Sequence, residues 1–183
     1  MDAIDNLLHR RTIRKYTEQP VKDEDLQTIV KCGSYAATSR GRQAWRFTVV
    51  TDRAYLDEIT AASTEVYMRT EENRQRVLQS EEKYDTFRGA PCAVIISGAD
   101  DIEGIVDCAD ATENMALAAH ALGLGSCYIG SIIDVMWLPE YRHLTDRLEL
   151  PEGYKPYFAL AVGYAAEDPV ADARKADTVN YIR

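Results

Sequence analysis

The chain lacks most of the signatures by which enzymes declare a reaction in sequence. No Ser-His-Asp order, GxSxG, HExxH, Walker or GxGxxG sequence occurs, which removes the usual marks of serine hydrolases, zinc peptidases, P-loop NTPases and Rossmann dinucleotide folds. Its four cysteines, Cys32, Cys92, Cys108 and Cys127, show no CxxC spacing. Three lie in apolar surroundings, where Cys acts as a small hydrophobe, so reduced thiols are expected, with neither disulfide nor metal. His9, His120 and His143 have no HxxxH or carboxylate-ligand spacing, which argues against zinc. Positive charge is scarce: 21 Lys and Arg stand against 30 Asp and Glu, for a net charge of −9. That balance argues against nucleic-acid and anionic-membrane partners. No apolar run approaches the length of a membrane span, and Met1-Asp2-Ala3 has neither a basic n-region nor an apolar h-region. A cytoplasmic protein is expected. With no repeat, low-complexity run or second domain, residues 1–183 read as a single domain with one well-buried core.

Against this acidic background the run Arg10-Arg11-Thr12-Ile13-Arg14-Lys15-Tyr16 stands out. Arginine offers a planar, permanently charged fork suited to phosphate oxygens, and the Thr12 hydroxyl adds a further donor. The run alone fits either a solvated basic turn or an anion site. Before it, Asp2 to Arg10 reads as a short helix with Ile4, Leu7 and Leu8 on one face. After it, Asp23-Glu24-Asp25 opens a helix that carries Leu26, Ile29 and Val30 inward.

A polar loop over Ala36 to Ala44 leads into a strand over Arg46 to Thr51, with Phe47 and Val49 on one face and Thr48 and Val50 on the other. Trp45 and Phe47 read as core. Helical sequence runs from Asp52 to Ala62 and again, highly charged, from Thr64 to about Tyr84. The second stretch fits a flap over a site or a helix packed on a dimer partner; its Asn73 and Arg74 could line a pocket but are not counted as site residues. Pro91 to Ser97 reads as a buried central strand. Asp107 to Leu122 reads as a core helix apolar enough for a subunit interface, ended by Gly123 and Gly125. A strand over Ser126 to Ile129, a helix from Pro139 to about Leu148 and a strand over Tyr157 to Val162 follow. The tail from Asp168 to Arg183 carries too few apolar residues to bury itself and either frays or lies across something else.

The basic run and the stretch Ala36-Ala37-Thr38-Ser39-Arg40-Gly41-Arg42-Gln43-Ala44-Trp45-Arg46-Phe47 together resemble the flavin-dependent nitroreductase family. That family carries an Arg-Arg-Ser-x-Arg-x-Phe/Tyr run followed by Pro-Ser-x-x-Asn-x-Gln-Pro-Trp-x-Phe. Here Thr12 stands for Ser, Ala37 and Ala44 for the prolines, Thr38 for the second-position Ser and Gly41 for Asn. The segments 110–130 and 159–164 resemble the family's central helix and strand and its C-terminal strand.

The resemblance implies an α+β fold, a mostly antiparallel central sheet flanked by helices, in an intertwined homodimer with C-terminal strand exchange. It implies FMN as cofactor and NAD(P)H as electron donor, with nitroaromatic, quinone or related small aromatic acceptors reduced by ping-pong hydride transfer. A specialised flavin enzyme of the same fold (a dehalogenase, a dehydrogenase or a flavin-consuming enzyme) and a non-enzymatic flavin-binding protein are the alternatives. No side chain is implied as catalytic, because the flavin performs the redox step. By the same resemblance, Arg10, Arg11 and Thr12 lie at the phosphate and ribityl end or along the pyrimidine edge, and Arg14 lies near the pyrimidine N1 and O2. The backbone of Ile129-Gly130 faces flavin N5. Thr38, Ser39 and Gly41 come from the other subunit, and Arg174 and Lys175 reach the phosphate. The absent Asn side chain at Gly41 bears on substrate range more than on flavin binding.

Overall fold

The computed structural model describes residues 2–79 and 84–183. Helix α1 (Ala3–His9) is capped by Asp2, whose side chain accepts from the Asp5 N–H, yet none of its residues is buried. Ile4, Leu7 and Leu8, expected on one face, are 65, 54 and 64 % exposed. Helix α2 (Asp23–Gly33) behaves as its sequence requires, with Leu26 and Ile29 buried and three acids in its first turn. Strand β1 (Trp45–Val50) sends Phe47 and Val50 to opposite faces of the sheet.

Several elements differ from expectation. The helix expected to stop at Ala62 continues as α3 (Arg53–Tyr67). It takes in the first four residues of the charged stretch, which resumes as α4 (Glu71–Gln79); the expected extension to Tyr84 crosses residues 80–83, outside the described residues. After β2 (Cys92–Ala99), helix α5 (Ile102–Ala121) starts five residues earlier than expected. The Asp101 carboxylate accepts from the Gly104 N–H at 2.6 Å. A Cβ on Gly104 would stand 2.2 Å from the Ala99 carbonyl oxygen, so the glycine that weakens helix propensity is what lets this turn close on β2. The helix expected from Pro139 is broken up. Past β3 (Gly125–Ile129) and the short α6 (Ile133–Met136), Pro139 opens a single 3-10 turn and α7 spans only Arg142–Asp146.

The sheet has strand order β1-β2-β4-β3, where β4 is Tyr154–Gly163, and every pairing is antiparallel. β4 begins before the expected Tyr157 because a register shift between Ile96 and Ser97 passes over Tyr157 and sets Pro156 opposite Ser97. A bulge is where a strand tolerates a residue with no N–H. β2 is central and covered on both faces. Ala93 and Ile95 meet Leu56 and Ile59 from α3, Ile132 from the turn before α6 and Leu144 from α7. Val94 and Ile96 meet Leu26, Ile29, Met115 and Ala119 from α2 and α5. The result is a three-layer α+β arrangement.

The cysteines lie in these layers. Burial pushes the Cys92 and Cys108 thiols up to about 12 and raises Cys127 as well, while Cys32 is only half-buried. A thiol titration at pH 8 should therefore find one rapidly reacting group per native chain, Cys32, and all four after unfolding. Two or more fast native thiols would contradict this packing. Among the described residues no helix is long and apolar enough to cross a membrane.

Candidate functional site

The basic run lies against the free edge of β3. Thr12 forms a parallel bridge to Ser126, and the Ile13 N–H donates to the Ser126 carbonyl at 2.9 Å. Farther on, Tyr16 bridges Ala165, and the Thr17 N–H donates to the Tyr164 carbonyl. Two glycines make this approach possible. A Cβ on Gly125 would stand 2.8 Å from Ile13 Cγ1, and one on Gly163 would stand 2.8 Å from Tyr16 Cδ1. Gly125, expected at a helix end, thus serves as the seat of the run, and Gly123, with φ +78°, turns the chain after α5. Tyr16 donates its hydroxyl to the Ile13 carbonyl at 2.7 Å, and burial drives its phenol far above the usual range.

The cations of the run differ in what they touch. Arg10 pairs with Glu113 of α5 at 3.2 Å. Arg11 donates to the carbonyls of Leu8 and Arg10, closing the end of α1. Arg14 is exposed; its backbone N–H donates to the Glu167 carboxylate, while its guanidinium has no partner among the described residues. Beside Arg10 and Arg11 lies His120, near the end of α5. Its Nε2 is buried without a hydrogen-bond partner among the described residues. Burial, then the charges of Arg10, His9 and Arg11, push its imidazole below the usual range. A buried polar atom beside two arginines suits a ligand that brings acceptor oxygens. His120 carried no sequence signal for this position.

At the other end of β3, Ile129 is buried and Gly130 is half-exposed. A Cβ on Gly130 would meet nothing within 4 Å, so the space in front of this backbone is open. The run and the Ile129-Gly130 segment therefore border one strand. Thr38, Ser39 and Gly41 do not join them. They sit in a separate loop at the N-terminal half of α5, where the Ser39 N–H donates to Asp107 Oδ1 at 3.0 Å, and Gly41 adopts φ +67°. Asp107 is buried, with Oδ2 unpartnered among the described residues. Arg174 and Lys175 lie in the exposed tail.

Two adjoining cavities open beside the run. One, of about 440 Å³, is lined by Arg14, Lys15, Tyr16, Arg53, Asp85 and Arg88 among others. The second, of about 720 Å³, is lined by residues that include Ser63, Tyr67, Asn73, Arg88, Ser131 and Asp134. Asn73 is thus on a cavity wall although it was not counted as a site residue. Arg88 borders both cavities and was missed: its sequence context, a turn before Gly89, gives no hint of where the turn points. Among the described residues no group of His, Cys, Asp and Glu is placed to hold a metal ion.

The nitroreductase family model matches residues 7–164, from α1 through the end of β4. The chain belongs to the nitroreductase family. Among curated relatives, the FMN reductase (NADPH) of Bacillus subtilis is 30% identical over 172 residues, covering 90% of this chain and 66% of the relative. The oxygen-insensitive NADPH nitroreductase of Salmonella typhimurium is 28% identical over 174 residues, covering 91% and 67%. The chain spans about two-thirds of the length of these two proteins. A Bacteroides fragilis nitroreductase crystallised with bound FMN is 30% identical, with a TM-score of 0.87 and full coverage of both chains. That likeness extends the nitroreductase fold over this chain's tail as well as its sheet.

Proposed function

We propose that this nitroreductase-family chain is an FMN-dependent NAD(P)H oxidoreductase that works as a homodimer of single domains, residues 1–183. The observation that carries the reading is the basic run pinned along β3, with open space before Gly130 at the strand's far end. The residues fit the cofactor. Arg10 and Arg11, with His120 beside them, suit a phosphate, the Thr12 hydroxyl the ribityl chain, and the Arg14 guanidinium an anionic pyrimidine edge. The Gly130 backbone can approach a ring closely because it has no side chain. When bound, FMN supplies hydride acceptance and donation; the chain's residues hold it, bias its charge and admit the reactants in turn. For each acceptor, NAD(P)H and one proton deliver the two electrons and two protons that convert a nitro group to a nitroso group and water, or a quinone to its hydroquinone.

A second copy completes the site in this reading. Ile4, Leu7 and Leu8 of α1 and Ile102 and Val106 of α5 are exposed as apolar surface on one chain, as are Val170 and Ile182 of the tail. Such surface is characteristic of an interface. In the dimer Thr38, Ser39 and Gly41 reach the partner's flavin, and the tail with Arg174 and Lys175 crosses to the other subunit, adding a strand to its sheet.

Two measurements test these statements. Sedimentation should give a particle of twice 20.6 kDa at micromolar concentration; a monomer that retains flavin would overturn the dimer. Acid release and chromatography should give FMN at one per chain, and anaerobic NADH or NADPH should bleach its visible band, with colour returning on addition of a nitroaromatic or quinone. Finding FAD, or no flavin after reconstitution, would refute the cofactor reading.

A further inference from the structure

We infer that the larger cavity selects aromatic acceptors that carry a carboxylate, and that Arg88 is the residue that reads the charge. The inference rests on the redox function proposed above and adds the substrate class.

Arg88 is presented by a firmly built turn. Phe87, immediately before it, is fully buried. Asp85 Oδ1 accepts from the Phe87 N–H at 2.7 Å, and the Arg88 N–H donates to the Asp85 carbonyl. Arg88 itself adopts φ +60°, a left-handed conformation that a side chain of this size adopts only where its surroundings hold it there. The turn directs an arginine to the seam between the two cavities, and its guanidinium has no hydrogen bond or ion pair among the described residues.

The neighbouring charges favour an anion. Asp57 and Asp85 in the smaller cavity both pair with Arg53, and Arg69 in the larger one pairs with Glu140. Among the described residues the two linings carry Arg14, Lys15, Arg53, Arg69 and Arg88 against Asp57, Asp85 and Asp134. This is a positive basin in a chain whose net charge is −9, so it concentrates small anions that the rest of the surface repels.

The walls of the larger cavity supply the rest of the recognition. Tyr67 and Tyr84 stack with centroids 5.7 Å apart and planes within 9°, offering a flat aromatic surface. Ser63, 6 % exposed, has its hydroxyl buried without a partner among the described residues, and it lines this same cavity. A ligand with a polar substituent satisfies that hydroxyl; a hydrocarbon leaves it orphaned. Among the described residues Asp134 is the one carboxylate in this lining, and it is exposed, where solvent screens it. Ser131 follows Gly130 directly, so the cavity opens beside the backbone at which the redox step takes place.

The test compares 4-nitrobenzoate with its neutral isostere 4-nitrobenzamide, using wild type, Arg88→Asn and Arg88→Lys. Asn tolerates the left-handed backbone, and Lys retains a point charge. The ratio of kcat/KM for benzoate over benzamide should fall about tenfold in Arg88→Asn and recover in part in Arg88→Lys, because a partly screened charged hydrogen bond is lost and then partly restored. Comparing ratios between variants cancels the different intrinsic reactivities of the two acceptors. Calorimetric binding of 4-nitrobenzoate to the oxidised FMN-loaded protein should weaken by the same factor, and Ser63→Ala should weaken it further, by a few-fold. An unchanged ratio with unchanged binding overturns the inference. So does a loss of FMN affinity that slows both acceptors equally, or a rise confined to the KM for NAD(P)H, since either would give Arg88 to another ligand. Failure of the redox function itself is distinguishable: wild type would then reduce neither acceptor with NAD(P)H.

Discussion

Gly125→Val is expected to cost about 2–3 kcal/mol of stability and to weaken FMN binding at least tenfold, although residue 125 touches no proposed cofactor atom. A Cβ there would stand 2.8–2.9 Å from three carbons of Ile13. Ile13 is buried and its N–H pairs with the Ser126 carbonyl, so it cannot retreat without lifting the basic run off β3. Arg10, Arg11, Thr12 and Arg14 would all move with it. Thermal unfolding should show a fall of roughly 5–10 °C, given the usual 2–4 °C per kcal/mol for chains of this size, and an FMN titration should show the lost affinity. Gly130→Ala provides the contrast. Its Cβ would meet nothing within 4 Å, so stability should stay within about 0.5 kcal/mol. A Gly125→Val protein with unchanged melting and FMN affinity would mean that the run does not depend on this seat.

Arg14→Ala should lower the reduction potential of the bound flavin as well as its affinity, whereas Arg10→Ala should lower affinity alone. Arg14 lines the smaller cavity with its guanidinium unpartnered among the described residues, while Arg10 sits with Glu113 near His120. A cation by the pyrimidine edge interacts more strongly with an anionic reduced ring than with a neutral oxidised one. Losing a partly screened interaction of about 1 kcal/mol in that difference shifts a two-electron couple by about 20 mV. Affinity for oxidised FMN should fall about tenfold in either variant, the usual consequence of removing one charged hydrogen bond. Dye equilibration with FMN in excess separates the two effects. A potential shift in Arg10→Ala with none in Arg14→Ala would reverse the assignment, and two variants with wild-type FMN binding would reduce the run to a solvated turn.

Much of this architecture is legible in the sequence. The continuous apolarity of 91–97 marked the central strand β2, because burial on both faces leaves no polar positions, and the spacing of Leu26 and Ile29 marked the buried face of α2, because burial of one face imposes a period on the sequence. The basic run was conspicuous against an acidic chain. Local signals failed where a local preference was overridden. Gly104 argues against a helix in isolation but is required by the contact with Ala99, and the bulge at Ile96/Ser97 accommodates Pro156 in a strand. The sequence shows the apolar stripe of α1, yet the chain by itself leaves it exposed, since periodicity tells which face wants cover and not what covers it.

The sequence by itself therefore determined the layers, the position of the basic run and, through motif order, the family. Tertiary structure alone decided that the run docks on β3 through Gly125 and Gly163, that His120 lies beside Arg10 and Arg11, and that Arg88 stands where two cavities meet. The physical reason is one of range. Periodicity and capping are set by residues within a turn or two of each other, whereas a glycine that admits Ile13 from 112 positions away, or an arginine aimed by a buried phenylalanine, leaves no pattern in its neighbours.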